Sequence, residues 1–155
     1  MSESDSHRVE ADVDGSVAIL LVRAGQHALR AVDAALAPFH VSVTQYLVLA
    51  YVARDDAPTA GALARHANLD SGAMTRLLDR MEEQGLLARR LDAGDRRVVR
   101  LSMTDHGRRM LPGLNHAIVH VHDALAHAHS GTELERFMAY LHGAIGAVTS
   151  LKEKP

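Results

Sequence analysis

Arginine is the residue type whose numbers and spacing in this sequence most invite chemistry. Between Arg54 and Arg109 stand eleven Arg, no Lys and nine acids, and within Arg89 to Arg109 seven Arg face three acids. A guanidinium is planar, permanently charged and forks onto phosphates and guanine edges, so an all-Arg block suits nucleic-acid recognition. The rest of the chain holds six bases and ten acids, so the formal net charge of −2 sums a basic middle and acidic flanks. His116 and His120 stand at i and i+4, a spacing that can bring two imidazoles to one metal ion, with His122, His127 and His129 nearby. A solvated polar helix face is the plainer account of them. Asp79, Glu82 and Glu83 form a carboxylate cluster beside Arg80, where i,i+3 and i,i+4 surface pairs account for it. There is no G-x-S-x-G, no H-E-x-x-H, no phosphate loop and no Cys. No enzyme and no cofactor are therefore expected.

The 155 residues suffice for one modest domain, 47% hydrophobic but only 3% aromatic. Twenty-five Ala and five aromatic residues point to closely packed helices around an aliphatic core. Zero Cys excludes a disulfide framework, a thiolate zinc site, an Fe–S cluster and a thiol sensor. The apolar run Val17 to Val22 is six residues and ends at Arg23, and the longest, Tyr46 to Ala53, is eight and ends at Arg54. That is far short of the roughly 20 residues of a membrane span, so no membrane partner is expected and the setting is cytoplasmic. Met1 to Gly15 carries five acids, unlike the basic start of a signal peptide. Residues 1–14 are read as a flexible arm.

Periodicity supplies the elements that must position these groups. A helix runs from about Gly15 to Ala37, ended by Pro38, with Val17, Leu20, Leu21, Ala24, Ala28, Ala31 and Ala35 at spacings of three and four. A connector leads to a second helix capped by Ser42 or Thr44 and reaching Arg54. Asp55-Asp56-Ala57-Pro58 reads as a loop. Thr59 caps a short helix, Ala60 to Ala67, stopped by Asn68, and Asp70 or Ser71 caps a fourth through Gln84, closed by Gly85. Leu86 to Leu91 and Val98 to Met103 then read as a hairpin around a Gly/Asp-rich spacer. Thr104 caps a long helix from Asp105 to about Ala128, expected to kink at Pro112. Ser130-Gly131-Thr132 breaks the chain before a last helix, Glu133 to Leu151, whose stripe is Leu134, Phe137, Leu141, Ile145 and Val148.

The resulting fold class is mainly α with a small β-hairpin wing, a winged helix-turn-helix from about Thr44 to Met103. A major groove about 12 Å wide admits one α-helix, and the helix after the turn is placed to enter it. Its exposed N-terminal face offers Ser71, Gly72, Thr75, Arg76 and Arg80. On the hairpin, Arg96 and Arg97 occupy the tip, with Arg89, Arg90 and Arg100 on the strands. A tip Arg suits the negative potential of a narrow minor groove. Asp95 is assigned to orienting Arg97. A merely solvated charged hairpin is the competing account.

The sequence resembles the MarR-type winged-helix transcriptional regulators over nearly the whole chain, most strongly from Val41 to Gly107. The likeness is carried by Val43-Thr44-Gln45-Tyr46-Leu47-Val48-Leu49, Leu63-Ala64, Met74 through Glu82 and Gln84-Gly85-Leu86. It continues in Asp95-Arg96-Arg97-Val98-Val99-Arg100-Leu101-Ser102-Met103-Thr104, the family's Asp-x-Arg wing signature with Met103 in place of Leu, and in Gly107. The resemblance implies a homodimer, a pseudo-palindromic double-stranded operator and a repressor released by a small-molecule effector. The unmatched apolar stripes on three long helices also call for a partner chain. The implied organisation is an N-terminal dimerisation helix and connector at 15–40, a DNA-binding unit at 41–103 and C-terminal dimerisation helices at 104–151. Transferring the family's effector pocket places Arg23, His27, Arg30, His40, Tyr46 and Tyr51 in its lining, groups suited to a phenolic or aromatic carboxylate. Some members sense zinc through His pairs on the fifth helix. Here His116 and His120 stand two residues out of step and Leu47 replaces an expected His, so no metal is assigned. The competing function is a helical dimer that binds a metabolite or metal without DNA.

Overall fold

The computed structural model describes residues 16–54, 58–92, 94–95, 98–127 and 131–151. The arm at 1–14, the loop residues 55–57 and the tip pair Arg96 and Arg97 lie outside them. Helix α1 (Val17–Leu36) runs into a short 3-10 turn at Ala37–Phe39 with Pro38 in its middle. His40, in the left-handed region at φ 55°, turns the chain into α2 (Val43–Arg54). There follow α3 (Ala60–Ala67), α4 (Ser71–Glu83), β1 (Leu87–Leu91), β2 (Val99–Met103), α5 (Asp105–Ala126) and α6 (Gly131–Leu151).

Local hydrogen bonds explain most of these boundaries. Ser42 rather than Thr44 starts α2: the Gln45 N–H donates to Ser42 Oγ at 3.3 Å and the Ser42 N–H to Gln45 Oε1 at 2.9 Å, a reciprocal capping box. Thr59 Oγ1 accepts from the Ala62 N–H and Asp70 Oδ1 from the Ala73 N–H, at 3.3 and 2.7 Å. The α4 C-terminus is a Schellman motif: the Leu86 N–H donates to Met81 O and the Gly85 N–H to Glu82 O, both at 2.9 Å. Gly85 supplies the required positive φ of 66°. As expected, α5 is one element with Pro112 inside it. One expectation shifts. Gly131 and Thr132 belong to α6, not to the break before it.

The core lies between residues 36 and 114. Leu36, Val48, Leu49, Leu63, Met74, Leu78, Met81, Leu101 and Leu114 are essentially inaccessible, joining the end of α1, the winged unit and the start of α5. The antiparallel hairpin pairs Leu87 with Met103 through to Leu91 with Val99. The stretch read as loop before α3 also joins the sheet: Thr59 bridges Arg100, and the Leu101 N–H donates to Pro58 O at 3.0 Å. Helix α5 starts against the hairpin so closely that a Cβ on Gly107 would lie 2.7 Å from Met103 Cγ and collide with the Leu86 carbonyl. Beyond Leu114 no described side chain is fully buried, Ala117 and Ile118 packing only in part against the core. Phe137, Ile145 and Val148 on α6 and Val17, Leu20 and Val22 on α1 are exposed. No single helix among the described residues is long and apolar enough to cross a membrane. Only α1 with its 3-10 turn and α2 pass that test, as a pair bent by 77°, and α2 spends Val48, Leu49 and Val52 in the core.

Candidate nucleic-acid interface

Helix α4 divides into two faces. Met74, Leu77, Leu78 and Met81 are buried, whereas Ser71, Gly72, Thr75, Arg76, Asp79 and Arg80 are exposed. The five positions expected to meet DNA thus share the solvent side. Thr75 Oγ1 donates to Ser71 O at 2.8 Å, leaving its oxygen lone pairs to accept from outside. The Arg76 Nη1 lies back over the first turn, 3.5 Å from where a Cβ on Gly72 would stand. Among the described residues, Arg76, Arg80 and Arg90 have no ion-pair partner, so their charges are open to an external anion.

Arg89, expected to meet DNA, has partners within the protein. Its guanidinium holds Asp79 Oδ1 at 2.7 Å and Glu82 Oε2 at 2.6 Å, and its N–H donates to Glu82 Oε1 at 3.0 Å. The hydrogen bond to Asp79, with the charges of Glu82 and Asp79, raises its pKa further. Arg89 therefore straps β1 to α4, its guanidinium already engaged by two carboxylates. The same contacts revise the carboxylate cluster, because Asp79 and Glu82 pair with Arg89 and not with Arg80.

The wing turn depends on a residue the sequence reading did not single out. Asp92 Oδ1 accepts from the Gly94 and Asp95 N–H groups at 2.8 and 3.0 Å, and Oδ2 pairs with the Arg100 guanidinium across the hairpin. The hydrogen bond from Arg100, then those from Gly94 and Asp95, hold its carboxyl down at about 2. The Asp-x-Gly spacing of an Asx turn was the available signal. The role given to Asp95 toward Arg97 falls outside the described residues. At the other end of the wing, Thr104 Oγ1 accepts from the Gly107 N–H at 3.1 Å and donates to the Gly85 carbonyl, tying hairpin, α4 and α5 together.

The six residues expected to line one effector pocket are dispersed. Arg23, His27 and Arg30 are exposed along α1. His40 borders a cleft of about 240 Å³ with Phe39, Gln84, His106 and Met110. Tyr46 donates to Asn115 Oδ1 at 3.2 Å, and burial raises its pKa. Tyr51 stacks on His66 with ring centres 4.5 Å apart, beside a cleft of about 250 Å³ that includes Arg54. A larger cavity of about 610 Å³ lies between α1, the end of α3 and α6, lined by Leu21, Arg65, His66, Asn68, Leu141 and Ile145 among others. None of the six borders it. His116 and His120 stand edge to face, 5.2 Å between ring centres. No group of three or more potential ligands gathers among the described residues.

A three-helix unit around a buried core, with an exposed, partly cationic third helix and an Arg-strapped hairpin, is a winged helix-turn-helix. The chain matches the MarR family model over residues 41–98. It is 28% identical over 95 residues to the organic hydroperoxide resistance transcriptional regulator of Bacillus subtilis, covering 61% of this chain and 65% of that one. It is 36% identical over 88 residues to the HTH-type transcriptional regulator TtmR of Methylorubrum extorquens, covering 56% and 45%. The matches thus span less than two thirds of these two relatives' own length. The structure of CouR from Rhodococcus jostii RHA1 bound to p-coumaroyl-CoA superposes with a TM-score of 0.79 at 27% identity, covering 86% of this chain and 94% of that one.

Proposed function

We propose that the protein is a homodimeric, sequence-specific DNA-binding transcriptional repressor of the cytoplasm, not an enzyme, released from DNA by a phenolic or aromatic-acid effector. The observation that carries this reading is the exposed N-terminal face of α4. Small residues there allow close backbone approach, the helix N-terminus favours a phosphate, and Arg76 and Arg80 have no ion-pair partner among the described residues. The division into an arm at 1–14, a dimerisation helix at 15–40, a DNA-binding unit at 41–103 and dimerisation helices at 104–151 belongs to the same proposal. The exposed stripes of α1 and α6 support the dimer, and two-fold symmetry calls for a pseudo-palindromic operator with a recognition helix in each half-site.

For the effector, the cavity between α1, α3 and α6 replaces the dispersed set. It joins an apolar wall, Leu141, Ile145 and Val148, to a polar one, Arg65, His66 and Asn68, as an aromatic acid requires. An occupant touching α3 would bias the setting of α4 relative to the dimer helices. The p-coumaroyl-CoA held by CouR, an aromatic thioester, is in keeping with that class. With no Cys in the chain, release does not run through thiol oxidation. Mobility shifts on the DNA upstream of the protein's own gene test the reading. A shift reversed by an aromatic acid is expected, and no binding at low salt overturns it.

A further inference from the structure

Gln45 is the one buried polar side chain among the described residues, 7% exposed on the first turn of α2. A buried amide has to find partners for both of its ends, because an unmatched group costs its full desolvation. Its Oε1 accepts the Ser42 N–H at 2.9 Å, which fixes the orientation of the amide and leaves Nε2 as a donor. That nitrogen donates at 2.6 Å to Oε1 of Gln84, 39 positions further along the chain. Gln84 is the C-cap of α4, directly before the positive-φ Gly85. The start of α2 is itself held from another element, since Asp33 Oδ1 on α1 accepts the Val43 N–H at 3.2 Å. The end of the recognition helix is therefore tied by a directional bond to a point anchored on α1 and α2.

The apolar contacts of α4 are of another kind. Met74, Leu77, Leu78 and Met81 decide which face turns inward, but apolar burial is non-directional and constrains tilt less sharply. A hydrogen bond weakens steeply with distance and angle, so it selects one tilt. The lever is long. At 1.5 Å per residue, Arg76 stands about 12 Å and Gly72 about 18 Å from Gln84 along the helix axis. A tilt of about 5° at the C-cap carries them by roughly 1–1.5 Å, whereas a recognition contact has to be held within about 0.5 Å.

We propose that Gln45 and Gln84 are positioning residues for DNA recognition: their amide–amide bond sets the tilt at which α4 presents Arg76 and Arg80 to a half-site. The inference rests on the DNA-binding reading above. Neither side chain is asked to touch DNA. Gln45 is enclosed, and Gln84 stands at the far end of α4, on a cleft it shares with His40 and His106.

The experiment uses a duplex that the wild-type protein selects from a random-sequence pool. Affinity is measured across a salt series, and on single-base variants of the duplex, for wild type, Gln84→Met and Gln84→Glu, with thermal unfolding of each free protein. Gln84 is exposed, so the three unfolding midpoints should lie close together. Gln84→Met keeps the length of the side chain and loses the acceptor. It should bind about tenfold more weakly, with flattened preference at the bases α4 reads. The slope of log K against log salt should not change, because no phosphate contact is removed. Gln84→Glu keeps an acceptor for Gln45 Nε2 while its charge works against DNA. It should still bind at least about threefold more tightly than Gln84→Met, which assigns the effect to the hydrogen bond. In nitrogen–proton spectra the Gln45 side-chain amide should show a downfield proton in wild type and Gln84→Glu, lost in Gln84→Met. Wild-type affinity and base preference in Gln84→Met overturn the proposal, as does Gln84→Glu binding no better than Gln84→Met. Should Gln84→Met lower the unfolding midpoint, the spectra and the comparison with Gln84→Glu, both taken well below that midpoint, carry the same expectations. Failure of wild type to select any duplex overturns the DNA-binding reading itself, a result separable from the others.

Discussion

Arg76 and Arg89 are the same residue type on adjacent elements, yet one is open to an external anion and the other is bound by Asp79 and Glu82. The type and spacing of both were plain in the sequence. Their engagement was not, because it depends on which carboxylates the hairpin meets when it folds onto α4. Arg76→Ala is expected to weaken operator binding by about 1–3 kcal/mol and to relax preference at one base-pair position if Arg76 reads a base edge. Anisotropy titrations on operators varied one position at a time would measure it, and a uniform loss across sequences would make Arg76 a phosphate contact instead. Asp92 makes a second prediction. Its folded pKa, about 2 against an ordinary 3.8, is depressed, so its turn-forming contribution is complete above the ordinary value and is lost as pH falls through the folded one. The Gly94 amide shift should therefore titrate with a midpoint near 2. A midpoint near 4, the unperturbed range, would show that the Arg100 pair does not form in solution.

Element boundaries were legible wherever a single residue decides them. Thr59, Asp70, Thr104, Asn68 and Gly85 start or stop helices through bonds within a few positions of themselves, which is information a linear sequence holds. The strand partner at Pro58 and Thr59 was invisible because its bonds go to Leu101 and Arg100, far along the chain. Gly107 was legible as a family position, but its reason is tertiary, the approach of α5 to Leu86 and Met103. Gly107→Ala should lower stability by about 1–3 kcal/mol through overpacking, read as a lower urea midpoint with unchanged m. Arg89→Met should behave otherwise. Its ion pairs are substantially exposed, so screening limits their stabilisation to at most about 1 kcal/mol. DNA affinity should nonetheless fall, because the wing loses its strap to the recognition helix. A stability loss without an affinity loss would contradict that positioning role.

At the scale of the whole molecule, the core ends at Leu114 while the helices continue to Leu151. A helix carrying Phe137, Ile145 and Val148 in water gains little by itself, since burial contributes roughly 25 cal/mol per Å² only when another surface covers it. Phe137→Glu with Ile145→Glu should therefore halve the mass seen in sedimentation and reduce operator affinity, while the winged unit keeps its fold. An unchanged mass would remove α6 from the dimer interface.

The sequence by itself determined the helix order, the caps, the hairpin and the Arg-rich middle hidden under a net charge of −2. These follow from local propensity, short-range hydrogen bonds and position-resolved charge. Only the tertiary structure decided which arginines are already paired, that Asp92 shapes the wing turn, and that a cavity opens against α1, α3 and α6 which none of the six residues gathered from the family borders. Each depends on side chains distant in sequence meeting in space, and a charge pattern read along the chain does not say which of its members have found each other.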